Sequence, residues 1–135
     1  MVEPPEHRYE YNKALNISQK YNHWIAEKQN RKHLIDFYIF IEDSVLAQTL
    51  ISETLNQCEA HKDIHYQKLF ESQQGILLFK LGNIKSAIEY LHSYIDFVNN
   101  SEKQGKPSIL SLITLMEAKL QLNNIDETKK ILNNA

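Results

Sequence analysis

Lys80-Leu81-Gly82-Asn83-Ile84-Lys85-Ser86-Ala87-Ile88-Glu89-Tyr90-Leu91 is the stretch whose reading decides the fold. Gly82-Asn83 ends one helix, because glycine accepts the left-handed conformation that closes a helix C-terminus. Ile84, Ala87, Ile88 and Leu91 then fall at steps of three and four, the spacing of one helical face. A second copy lies 41 residues downstream: Gln121-Leu122-Asn123-Asn124-Ile125-Asp126-Glu127-Thr128-Lys129-Lys130-Ile131-Leu132. A weaker copy is Glu42-Asp43-Ser44-Val45-Leu46-Ala47, with Ala47 standing 40 residues before Ala87, and a partial fourth centres on Ala14. Polar connectors of similar length recur at 27–32, 59–63 and 102–106. A period between 20 and 50 residues with two helices in each period is the signature of an α-solenoid.

Outward from that repeat the chain reads as helix after helix. Apolar residues at helical spacing predict helices over 8–28, 31–41, 45–55, 66–81, 84–98, 110–122 and 125–132, seven in all. Asp43 or Ser44 caps the third. Asn99 to Lys106 is a loop, and Asn123-Asn124 breaks the last two helices apart. The run from Leu34 to Ile41 is almost wholly apolar and by itself reads equally as a buried strand; its neighbours decide for helix.

Composition narrows the class. The chain has 135 residues, enough for one domain with its own core. Only 3 Gly and 3 Pro leave too few turn formers for a sandwich or barrel. A single Cys forms no internal disulfide and suits a reducing, cytoplasmic setting. With 15 basic and 17 acidic residues there is no excess charge to draw nucleic acid, and the cluster Lys28, Arg31, Lys32 and His33 reads as a solvated connector. The opening MVEPPEHRYE lacks the apolar stretch of a signal peptide, and no run approaches the ~18 apolar residues of a membrane span. The expected organisation is a flexible arm over 1–7 and one helical-repeat domain over 8–135.

Catalytic patterns are missing. Gly75, Gly82 and Gly105 are isolated, so there is no phosphate loop, and there is no Gly-x-Ser-x-Gly elbow. Cys58 has no positioned base or cationic setting and reads as a structural thiol. Cys58, Glu59, His61 and His65 have spacings that would align three zinc-capable side chains on a continuous helix, but Lys62-Asp63 interrupts it and a fourth ligand is lacking. The acidic pairs Glu42-Asp43 and Asp126-Glu127 sit at helix starts, where the helix dipole accounts for them. No enzyme activity, cofactor or metal is expected.

Gly82-Asn83-Ile84 followed by Ala87, with Gly75 inside the preceding helix, resembles a tetratricopeptide repeat. In that family one small residue in each helix of a pair lets the two approach, and Gly75 and Ala87 match those places, with Leu91 as the large apolar residue a turn later. Met116 and Thr128 replace the small residues in the last copy, and Ile35 replaces one in the first. The period of about 40 exceeds the usual 34 or so and looks like the repeats of bacterial sensory and regulatory proteins.

The resemblance implies a right-handed α-solenoid of about three helix-turn-helix repeats plus a leading helix. It also implies a concave partner-binding face made by the first helices. The matching positions are Asp36, Ile39 and Phe40 in the first unit, Leu69, Ser72, Ile76, Phe79 and Lys80 in the second, and Ile113, Glu117, Leu120 and Gln121 in the third. No Lys-Asn pair stands on this face, which argues against capture of a terminal carboxylate; its mixture of aromatic and aliphatic groups suits an apolar helix or extended peptide. The expected role is a non-catalytic protein- or peptide-binding scaffold in a bacterial regulatory or sensory system. The alternatives are a structural self-assembly domain and a small metal-binding protein using Cys58, His61 and His65. Tyr9, Tyr11, Tyr21 and Trp24 give the leading helix a large aromatic surface, and the last helix, with Ile125, Ile131 and Leu132, is too short to cover Leu112, Ile113, Leu115 and Leu120; both lead to the expectation of a homodimer or of a fragment of a longer repeat protein.

Overall fold

A computed structural model describes residues 5–101 and 105–133. Among them the chain is all-α, with six helices and no strand: α1 (Pro5–Lys20), α2 (Trp24–Phe40), α3 (Ser44–Ala60), α4 (Ile64–Lys80), α5 (Ile84–Asn99) and α6 (Ile109–Asn133). Residues 1–4 of the expected arm and 102–104 of the last connector lie outside the described residues. The chain divides after Gln73, within α4, into two compact units.

One turn joins the first five helices, repeated four times. Asn22, Glu42, Lys62 and Gly82, each 20 residues after the last, hold positive φ of 50, 62, 54 and 86°. In each turn the next residue's amide reaches back to close the helix, His23 to Ser18, Asp43 to Tyr38, Asp63 to Cys58 and Asn83 to Leu78, all at 2.9 Å to the carbonyl. The left-handed residue's own amide makes the shorter loop, to Gln19, Ile39, Glu59 and Phe79. This pair of bonds satisfies the carbonyls that a helix end leaves bare. The residue that closes one helix then caps the next. His23 Nδ1 accepts from Ala26 N at 3.1 Å, Asp43 Oδ1 from Leu46 N at 3.2 Å, and Asp63 Oδ1 from Tyr66 N at 3.2 Å.

The buried faces follow the same count. Ala47, Ile51, Thr54 and Cys58 are buried in α3, and Ala87, Leu91, Tyr94 and Val98, 40 residues on, in α5. Arg31, Leu34, Ile35 and Tyr38 in α2 return 80 residues later as Ser111, Thr114, Leu115 and Ala118 in α6. The packing period is therefore 40 residues. The 41-residue offset read from the last turn-like sequence places Asn123-Asn124 one residue late in that frame.

Three boundaries differ from the expected seven helices. The stretch 8–28 is broken at Tyr21-Asn22-His23, whose left-handed residue is Asn rather than Gly. The supposed connector 27–32 is the interior of α2, because Glu27 and Arg31 neutralise each other within it. Both are buried, with Arg31 Nε donating to Glu27 Oε1 at 3.1 Å. Third, α6 runs through Asn123-Asn124 without a break. A left-handed turn is stabilised by the packing of the helix that follows it, and nothing from Asn123 to Asn133 is buried.

Within the first unit α1 packs on α2 and α2 on α3. Gln73 ties the middle of α4 to α2 by donating to Asp36 Oδ1 at 2.7 Å and to the Lys32 carbonyl at 3.1 Å. Within the second unit α5 packs on α6, and α4 meets α5 at Gly75. A methyl group on Gly75 would stand 2.8 Å from Leu91 Cγ and 3.2 Å from Tyr90 Cβ, a turn beyond the Ala87 contact the sequence suggested.

Gly75→Ala gains about 1 kcal/mol of helix propensity but overpacks against Leu91 at a cost of about 1–3 kcal/mol. Net destabilisation by denaturant titration is expected, and Leu91→Ala in the same chain should relieve the clash. A Gly75→Ala midpoint at or above wild type would refute the close approach.

Candidate functional site

Helix α6 is amphipathic in reverse. The face it packs inward carries Ser111, Thr114, Leu115 and Ala118, mostly small or polar. The face it leaves open carries Ile109, Leu112, Ile113, Met116 and Leu120, exposed by 74, 39, 47, 65 and 62%. Small residues let α6 approach α5 closely. Ser108 caps it, its Oγ accepting from Ser111 N at 3.2 Å and its amide donating to Tyr94 OH at 3.3 Å. The open residues recur at 109, 113, 116 and 120, so they form one stripe along the helix.

The twelve residues expected on the partner-binding face divide by exposure. In the first unit Asp36 and Phe40 are exposed and Leu69 is half-buried, while Ile39 and Ser72 are buried. In the second unit Ile113, Glu117, Leu120 and Gln121 are exposed on α6, Lys80 is exposed and Phe79 half-buried on α4, and Ile76 is buried. Ile39, Ser72 and Ile76 thus serve the chain's own packing and offer a ligand little surface. Desolvation beside Gln73 raises the Asp36 pKa, against the pull of that hydrogen bond and of Lys32 and His33. Ile113 and Leu120 belong to the open stripe. The sequence led to the expectation that Leu112, like Ile113 and Leu120, is left uncovered, as it is, and that Leu115 is too, which is instead buried; it missed Ile109 and Met116 as parts of the stripe. The signal that could have found them is the Ser111, Thr114, Ala118 row on the opposite face.

A second cluster, in the first unit, centres on the Asp63 carboxylate. Trp24 Nε1 and Lys28 Nζ both donate to Asp63 Oδ2, at 2.9 and 2.8 Å. The Lys28 ammonium sits 4.0 Å from the centre of the Tyr66 ring, and the His61 ring stacks on Trp24 with centroids 4.2 Å apart. Burial works against the Asp63 charge, but the bonds from Lys28, Trp24 and the Tyr66 amide outweigh it and hold the carboxyl below its usual pKa. This cluster fastens the start of α2 to the turn between α3 and α4.

The structure does not assemble Cys58, His61 and His65 into a metal site. Cys58 is fully buried in α3, His61 lies flat on Trp24, and His65 belongs to α4. Among the described residues no three His, Cys, Asp or Glu side chains gather to hold a metal ion. Burial, with the Asp63 carboxylate adding to it, pushes the Cys58 thiol up to about 12, so it carries no thiolate at neutral pH. Also among the described residues, no helix is long and apolar enough to cross a membrane.

No family model, curated protein or solved structure matches the chain.

Two outcomes follow from these geometries. Cys58 should resist a disulfide reagent in the folded chain at pH 8 and react at once in denaturant; rapid native labelling would contradict its burial. Asp63→Asn should cost about 1.5–3 kcal/mol at pH 7, the range for hydrogen bonds to a charged group. Because the folded pKa of Asp63 is depressed, its contribution is complete above the unfolded value of about 3.9 and disappears as pH falls through the lower folded value. The gap between wild type and Asp63→Asn should therefore close below about pH 4. A gap independent of pH would show that the charge is irrelevant.

Proposed function

We propose that this chain is a non-catalytic protein- or peptide-binding scaffold, a right-handed α-solenoid of tetratricopeptide-like helix pairs. The single observation that carries the binding role is the open apolar stripe of α6 on the face opposite its own packing surface. The solenoid reading is supported by four turns of one geometry at 20-residue steps and by buried faces that return every 40 residues. The stripe is straight, apolar and about three turns long, with Glu117 and Lys119 on its flanks. Its complement is the apolar face of an amphipathic helix, read by anchors at i, i+4, i+7 and i+11. A place in a bacterial regulatory or sensory system rests on the family resemblance alone, and a cytoplasmic setting on the single Cys.

The same stripe supports a second reading. An open apolar face matched by another copy of itself would make a homodimer, and the chain would then be a self-assembly domain.

Affinity capture from the source cell with the intact chain and with Leu112→Asp/Met116→Asp tests both. Both positions are exposed, so helix content should be unchanged. A partner retained by the intact chain and depleted at least tenfold by the variant is expected. Identical captures would refute the site. A dimer in light scattering that the variant dissociates would transfer the stripe to self-assembly.

A further inference from the structure

Three of the four turns show a simple geometric rule. Counting outward from a turn, residues about equally far on either side meet. Gly75 is seven before Gly82 and Tyr90 seven after Asn83, and they touch. Arg31 is eleven before Glu42 and Thr54 eleven after Asp43, and Arg31 NH1 donates to Thr54 Oγ1 at 3.1 Å. Tyr11, eleven before Asn22, stacks on His33, ten after His23, with centroids 5.8 Å apart.

Applied to Asn123-Asn124, the rule pairs Met116 with Ile131 and Glu117 with Lys130, one apolar match and one match of opposite charge. Asn is the residue after Gly that most readily enters the left-handed region, and it is also among the best helix caps. The outer part of α6 has little to keep it straight. Every residue from Asn123 to Asn133 is exposed, with Ile131 and Leu132 at 70 and 69%. A stretch of Asn, Asp and Thr this short is a marginal helix without tertiary contacts.

We infer that residues 125–133 are a strap that folds back at Asn123-Asn124 and covers the Met116–Leu120 end of the apolar stripe of α6, leaving Ile109, Leu112 and Ile113 open. Ile131 then lies against Met116, and Lys130 beside Glu117. The strap removes its own exposed apolar residues and that end of the stripe from water in one movement. Its regulatory meaning rests on the binding role proposed above: a chain with the strap closed offers only the Ile109–Ile113 end, so a partner helix that uses the whole stripe must displace it.

The test is a disulfide trap in the full chain. In the straight helix residues 117 and 130 are thirteen apart, about 20 Å at 1.5 Å per residue, far beyond the roughly 4.4–6.8 Å that a disulfide bridges. Glu117→Cys/Lys130→Cys should form an intramolecular bond under mild oxidation at least ten times faster than Leu110→Cys/Lys130→Cys, whose positions a hairpin does not oppose. The native Cys58 is fully buried and does not compete. Asn123→Ala/Asn124→Ala, which favours the uninterrupted helix, should slow the trap several-fold. Equal slow rates in both pairs, or bonds formed only between chains, would overturn the strap. The trap needs no partner, so its failure leaves the binding role standing, and a failed capture experiment leaves the strap standing.

Discussion

Every feature of the chain depends on a three-residue turn in which one amino acid is both the end of a helix and the start of the next. His23, Asp43 and Asp63 each close the preceding helix through the backbone amide and open the following one through the side chain. Because a single residue does both tasks, the linker cannot lengthen without losing one of them, and successive helices are held as tight hairpins. The conformational cost falls on the residue before the cap. Gly82 bears it without strain, while Glu42 and Lys62 pay for a left-handed backbone with the packing of the helices they join.

The turn also fixes what the faces must be. Helices of 17 residues separated by three-residue turns give a 20-residue step, and alternate helices repeat their burial after 40. At one such core position the chain places Arg31 in α2 and, 80 residues on, Ser111 in α6. Arg31 is tolerated there because Glu27 and Thr54 occupy its donors within the core. Removing either charge alone would strand the other in a low-dielectric setting, which costs far more than the pair itself is worth.

Much of this was legible from the residues, and what was missed has physical causes. The all-α class, the turn at Gly82 and the Asp43 cap followed from periodicity and from residues with strong turn chemistry. The break at Lys62-Asp63 was legible as a polar connector, whereas the turn at Asn22 was obscured because the helical spacing of Tyr21, Trp24 and Ile25 runs on across it. The interior of α2 was mistaken for a connector because Glu27 and Arg31 look solvated until their pairing is known. On α6 the rule that large apolar residues go inside pointed the wrong way: Ser111, Thr114 and Ala118 took the inner face, and no count of hydrophobic residues distinguishes the two faces. Of the twelve residues assigned to a binding face, Ile113 and Leu120 fall on the open stripe, whereas Ile39, Ser72 and Ile76 are committed to internal packing.

The Trp24 cluster makes the chain its own spectroscopic probe. It holds a single tryptophan, whose indole lies flat on His61 and donates to Asp63, all within the first unit. Indole emission therefore reports the opening of that unit alone, while far-ultraviolet ellipticity sums the helices of both. Divergence of the two signals along one denaturation curve would measure how independently the halves of the chain melt, with no label added.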